Sequence, residues 1–111
     1  MKTLADDRLG QMVEVIVREV DPLKVVVFGS QARGDAREDS DIDLLIVEDV
    51  KFEDGLSRWR ELRRLRKSLA SFRGAKDLIV FGREEYEKWR QSPNHIIAQA
   101  LKEGEVLYER P

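Results

Sequence analysis

The chain has 111 residues, 41% apolar and 38% charged, with a net charge of −2 and no cysteine. That length suits one domain, residues 1–111, whose folding removes about two-thirds of the unfolded surface from water. The missing cysteines exclude a disulfide framework, a thiolate nucleophile and a Cys-ligated metal centre; with no leader-like or membrane-length apolar run, a cytoplasmic protein without membrane association is expected.

In chain order, the spacing of Leu9, Met12, Val13, Ile16, Val17 and Val20 predicts a helix over residues 4–20, stopped by Asp21-Pro22. The β-branched run 24-KVVVF-28 and the apolar run 42-IDLLIV-47 predict buried strands. Between them, 29-GSQARGDAREDS-40 is polar and glycine-containing, a functional loop with a single helical turn after Ser30. Leu56, Trp59, Leu62, Leu65, Leu69 and Phe72 predict a helix with its apolar side chains packed inward and its arginines in solvent, ending near Gly74. A third strand follows at 77-DLIVF-81, then a short helix at 83-REEYEKWR-90. Ser92-Pro93 is read as cap and first residue of a helix running to about Lys102, and 105-EVLYE-109 as a final strand or ordered tail. The order α–β–β–α–β–α–α–(β) predicts a small α/β (α+β) fold: a mixed sheet with helices packed on one side.

Charge is segregated along the chain. Asp35 to Asp54 holds nine acids and two bases, a balance of −7; Leu56 to Lys76 holds eight bases and one acid, a balance of +7. Such a split points to a cation or substrate site in one region and an anionic partner for the other.

The carboxylates carry the chemistry. On a strand, residues two apart share a face, so Asp41 and Asp43 project together at the mouth of a buried run while Ile42 points into the core. Two adjacent carboxylates repel unless a cation lies between them, and Mg²⁺ favours one or two protein carboxylates plus phosphate and water oxygens. The stretch 77-DLIVF-81 repeats the form of 43-DLLIV-47, so Asp77 joins the pair if the two strands are neighbours. Asp39, Asp41 and Asp43 also imitate a calcium loop, but Leu44 stands where that loop needs glycine and Val50 where it needs glutamate. Gly29, directly after a buried strand, permits close backbone approach to a ligand, and Ser30 offers a hydroxyl and a helix start to a phosphate.

Gly29-Ser30, ten residues, Asp41-Ile42-Asp43 and the later Asp77 resemble the signature of the nucleotidyltransferase superfamily typified by DNA polymerase beta. The string GSQARGDAREDSDIDLLIV is most similar to its minimal nucleotidyltransferase (MNT) domains, which often serve as antitoxins to HEPN-domain toxins. The resemblance implies that Gly29 and Ser30 hold the triphosphate of ATP, with Arg33 near the phosphates. It implies that Asp41 and Asp43 bind Mg²⁺, two ions with Asp77 completing the metal set, and that Asp77 activates an acceptor hydroxyl. Lys76 departs from the family, which often has an apolar residue before the third acid.

The activity so implied is transfer of AMP from ATP to a hydroxyl. A chain this small leaves little to wall the cleft on its far side, so a partner protein is expected to supply it, and the resemblance suggests a tyrosine of a HEPN-type toxin. Alternatives are a non-catalytic module that neutralises its partner by occlusion, and a transferase acting on a small molecule or a nucleic-acid end. The arginine-rich helix 58-RWRELRRLRK-67 is read as a solvated face, with nucleic acid the less favoured partner. His95, the sole histidine, is read as structural or interfacial.

Overall fold

A computed structural model describes residues 7–29, 32 and 41–111. The amphipathic N-terminal stretch forms α1 (Asp7–Val20), and the two apolar runs form β1 (Lys24–Phe28) and β2 (Ile42–Glu48). Next come α2 (Gly55–Ser68), β3 (Lys76–Gly82), α3 (Arg83–Trp89), α4 (Ile96–Glu103) and β4 (Glu105–Glu109). Residues 4–6 of the expected first helix lie outside the described residues.

The four strands make one mixed sheet in the order β3-β2-β1-β4. β1 is antiparallel to both β2 and β4, whereas β2 and β3 are parallel, joined by the α2 crossover that parallel neighbours require. The expected mixed α/β fold is therefore present, and residues 105–109 are a sheet strand.

Helices α1 and α2 cover one face, where Leu9, Met12, Ile16, Leu65 and Leu69 pack on Val25, Val27, Leu44, Ile46 and Val80. The opposite face is covered as well, by Tyr86 of α3 with Ile97 and Ala100 of α4 on Val26, Leu45 and Val47. The reason lies in β2. Six of its seven residues, all but Asp43, are buried, and a strand of consecutive apolar residues cannot leave either face wet. Each such side chain contributes roughly 1.5–3 kcal/mol when fully buried.

Three local expectations change. Leu56 and Trp59 point outward, each 52% exposed, and only Leu65 of α2 is fully inside. The helix ends at Ser68, and Phe72 lies in the turns beyond it, its N–H donating to Leu69 O. Pro93 is not the first residue of a helix: α4 begins at Ile96, because His95 is its N-cap, its Nδ1 accepting from Ile97 N at 3.1 Å. The α2 N-terminus is closed by Asp54, whose Oδ1 accepts from Ser57 N at 2.8 Å.

Candidate active site

Sheet pairing places the acids. Phe28 of β1 is the register partner of Asp43 in β2, and Asp43 is the register partner of Asp77 in β3. Register partners on neighbouring strands lie about 4.8 Å apart and share a face, so the two carboxylates stand side by side. That face is the one covered further along by α3 and α4, since Leu45 and Val47 alternate with Asp43. Asp43 is half-buried and Asp77 exposed. Ile42, 1% exposed, anchors the start of β2 on the other face, and its N–H donates to Ala75 O at 3.0 Å to fix it beside the start of β3. Asp41 stands one residue ahead of β2, exposed to solvent.

Gly29 leaves β1 with φ +69°, in the left-handed region that favours glycine. A Cβ added there would stand 2.2 Å from Asp43 Oδ2 and 3.1 Å from its Cγ. The main chain of Gly29 therefore presses against the carboxylate itself, so the glycine and the acid form one unit. Ser30 and Arg33 lie outside the described residues.

Among the described residues no group of three or more His, Asp or Glu side chains stands ready around a metal ion. What the sheet brings together is the pair Asp43 and Asp77, with Asp41 at its approach. This donor set consists of carboxylate oxygens alone, which fits a hard cation such as Mg²⁺ better than zinc or copper. His95 is not part of it. Besides capping α4, its ring stacks on Trp89 at 4.7 Å and meets the edge of Phe81 at 5.6 Å.

Two charged residues carry roles the motif did not indicate. Glu48, 2% exposed, ends β2 on the α1/α2 face, with its Oε2 lacking a partner. Burial pushes its carboxyl up to about 8, helped by a hydrogen bond and charge from Glu61 and opposed by Arg64. Strand parity was the available signal, since Glu48 alternates with Leu44 and Ile46. Arg58, counted with the solvated arginines, instead reaches across to β3, its Nη1 donating to Val80 O at 2.7 Å and its Nη2 pairing with Glu85. Its guanidinium lies 5.0 Å from the Phe52 ring and 5.3 Å from that of Phe81.

Residues 11–111 match the family model described as "Polymerase beta, Nucleotidyltransferase". A Methanocaldococcus jannaschii protein named "Putative protein adenylyltransferase" is 38% identical over 85 residues, 77% of each chain. A crystal structure described as a "putative nucleotidyltransferase" from Sulfolobus solfataricus superposes with TM-score 0.61 at 26% identity, covering 94% of this chain and 79% of that one. A chain in the structure of the tri-AMPylated Shewanella oneidensis HEPN toxin with its MNT antitoxin gives TM-score 0.54 at 16% identity, covering 93% and 71%. At that identity the last likeness is one of fold.

Proposed function

The chain belongs to the polymerase beta nucleotidyltransferase family, and from that premise we propose that residues 1–111 are a single minimal nucleotidyltransferase domain that moves AMP from ATP to a protein hydroxyl. The observation that carries the reading is the Gly29–Asp43–Asp77 arrangement: a glycine turn pressed on one carboxylate whose register partner is a second.

In this reading Asp41, Asp43 and Asp77 hold Mg²⁺. Bound there, the cation would supply charge compensation to the triphosphate and to the pyrophosphate group. The left-handed turn at Gly29 lets the phosphates approach the main chain, and Ser30 and Arg33 are the further phosphate-binding residues in this reading. Asp77, on the exposed edge strand β3, accepts the proton of the acceptor hydroxyl. The freed oxygen attacks the α-phosphorus in line, an O–P bond forms, and the bond to pyrophosphate breaks with its electrons leaving on that group. Rigid carboxylates held by buried strands supply fixed charge where it is needed, the largest contribution in reactions of this kind.

The acceptor we propose is a tyrosine of a HEPN-type toxin in the same cytoplasm. Support comes from the relative named as a protein adenylyltransferase and from the fold shared with a structure whose toxin carries AMP. The test is incubation of the chain with Mg²⁺ and α-phosphate-labelled ATP, with and without the HEPN protein encoded beside it. Label on a tyrosine of that protein, lost with Asp43→Asn, is expected. Label on neither protein, while a known transferase labels its substrate in parallel, overturns the proposal.

A further inference from the structure

The outward face of α2 is built unlike a solvated helix surface. Leu56 and Trp59 are each 52% exposed, and Val50, in the segment leading to the helix, is 44% exposed. These are three of the five exposed large apolar residues among those described. A groove of about 340 Å³ borders this face, between residues 50–52 and the helix stripe Ser57, Arg60, Glu61 and Arg64, a stripe that lies about 90° round the helix from Leu56 and further still from Trp59. The stripe spans two helical turns, about 10 Å.

Its charge is one-sided. On the outward face Arg60, Arg63, Arg66 and Lys67 are all exposed; Arg60 also acts on the N-cap carboxylate of Asp54, and Arg63 lies 5.4 Å over the Trp59 ring. The one acid in the groove, Glu61, is engaged with buried Glu48 and with Arg64. The outward face thus offers an excess of cations beside Leu56 and Trp59, and Trp and Arg are among the residue types most often dominant at interfaces.

We infer that this face docks an acidic amphipathic helix of a partner protein, its apolar stripe on Leu56 and Trp59 and its carboxylates on Arg60 and Arg63. Aliphatic Leu56 favours a protein over a nucleic acid, whose bases would use the indole but gain little from the aliphatic side chain. The face lies on the α1/α2 side and beyond the far end of β2, about 20 Å along the strand from Asp43. It anchors a partner and does not present an acceptor to the acids, so it stands apart from the reaction proposed above. Basic side chains there also speed encounter with an acidic partner in a salt-dependent way.

The test uses the full chain without ATP or divalent cation, and is therefore blind to the transfer reaction. The probe is a fluorescent synthetic helix of about 20 residues with a leucine stripe flanked by glutamates; its lysine counterpart and a single-stranded RNA of similar length are the comparisons. Binding of the acidic helix, weakened by salt and by about tenfold or more in Leu56→Ala/Trp59→Ala, is expected. Arg60→Glu/Arg63→Glu should lose the acidic helix and gain the lysine one. All four side chains are exposed, and circular dichroism verifies that the variants fold. No binding by the parent chain, undiminished binding by either variant, or preference for the RNA overturns the inference, whatever the outcome with labelled ATP.

Discussion

Gly29 and Asp43 are in direct contact: any side chain at position 29 would enter the space of the Asp43 carboxylate, 2.2 Å from Oδ2. The contact lies where β1 hands over to the loop, and φ +69° adds strain for any residue but glycine. Gly29→Ala should therefore cost roughly 1–2 kcal/mol of stability. Its larger effect should be on transfer, by about 100-fold, since a displacement near 1 Å of a reacting group has that consequence. Thermal melts and labelled-ATP kinetics on the same preparation separate the two. A Gly29→Ala protein with full activity would show that the contact is only packing.

The register pairing of Asp43 with Asp77 places like charges opposite each other, an arrangement that destabilises a sheet by a few tenths to about 1 kcal/mol. Neutralising one should relieve that repulsion. Asp77→Asn is expected to melt at or slightly above the parent temperature without metal, and to have lost transfer. Added Mg²⁺ should raise the melting temperature of the parent through binding to the folded state alone, and raise that of Asp43→Asn much less. Equal Mg²⁺ responses would place the cation elsewhere.

These acids were legible in the sequence because two identical cues, an Asp at the mouth of a buried run, mark β2 and β3. Their register was not, since nothing local sets how far β3 slides along β2. The hydrogen bond from Ile42 to Ala75 O settles it in the fold. Lys76, odd for its position, folds back to donate to Gly74 O at 3.1 Å and to Phe72 O, closing the turn after α2. The outward Trp59 was misread for a geometric reason. At about 100° per residue, Trp59 lies some 120° round the helix from buried Leu65, and Leu56 some 180°. Spacings of three accumulate an error that a fixed period conceals.

Glu48 gives the protein a pH dependence with a definite sign. Its carboxyl is raised to about 8 from an ordinary 4.5, so the folded state holds a proton that the unfolded chain has released. Stability from this group is complete below about pH 4.5 and is lost as pH climbs toward and through about 8. Arg64 partly offsets the effect of burial on Glu48, so the loss should be on the order of 2 kcal/mol. Denaturant titrations between about pH 5 and pH 9 measure it. Glu48→Gln should flatten the profile and exceed the parent in stability at the alkaline end; a parent profile already flat would place the proton elsewhere.

Arg58 fastens α2 to the edge of the sheet, and its loss should be costly for reasons beyond charge. The guanidinium satisfies Val80 O of edge strand β3, pairs with Glu85 at the head of α3, and lies within 5.3 Å of the rings of both Phe52 and Phe81. Burial alone would raise the Glu85 carboxyl, but the Arg58 hydrogen bond, the Gly82 N–H and the Arg58 charge together hold it below its ordinary value. Arg58→Ala removes all of the Arg58 contributions and leaves two half-buried acceptors unmatched, so a cost of about 2 kcal/mol is expected. Arg58→Lys should recover less than half, because an ammonium cannot serve the carbonyl and the carboxylate with one planar fork. Acid provides the check on mechanism. A depressed carboxyl contributes stability that is present above its unfolded value and lost as pH falls through the folded one, so the parent should weaken on acidification more than Arg58→Ala. If the two lose stability in parallel, the Arg58–Glu85 pair is an onlooker, and the cost of the variant comes from packing against Phe52 and Phe81 alone.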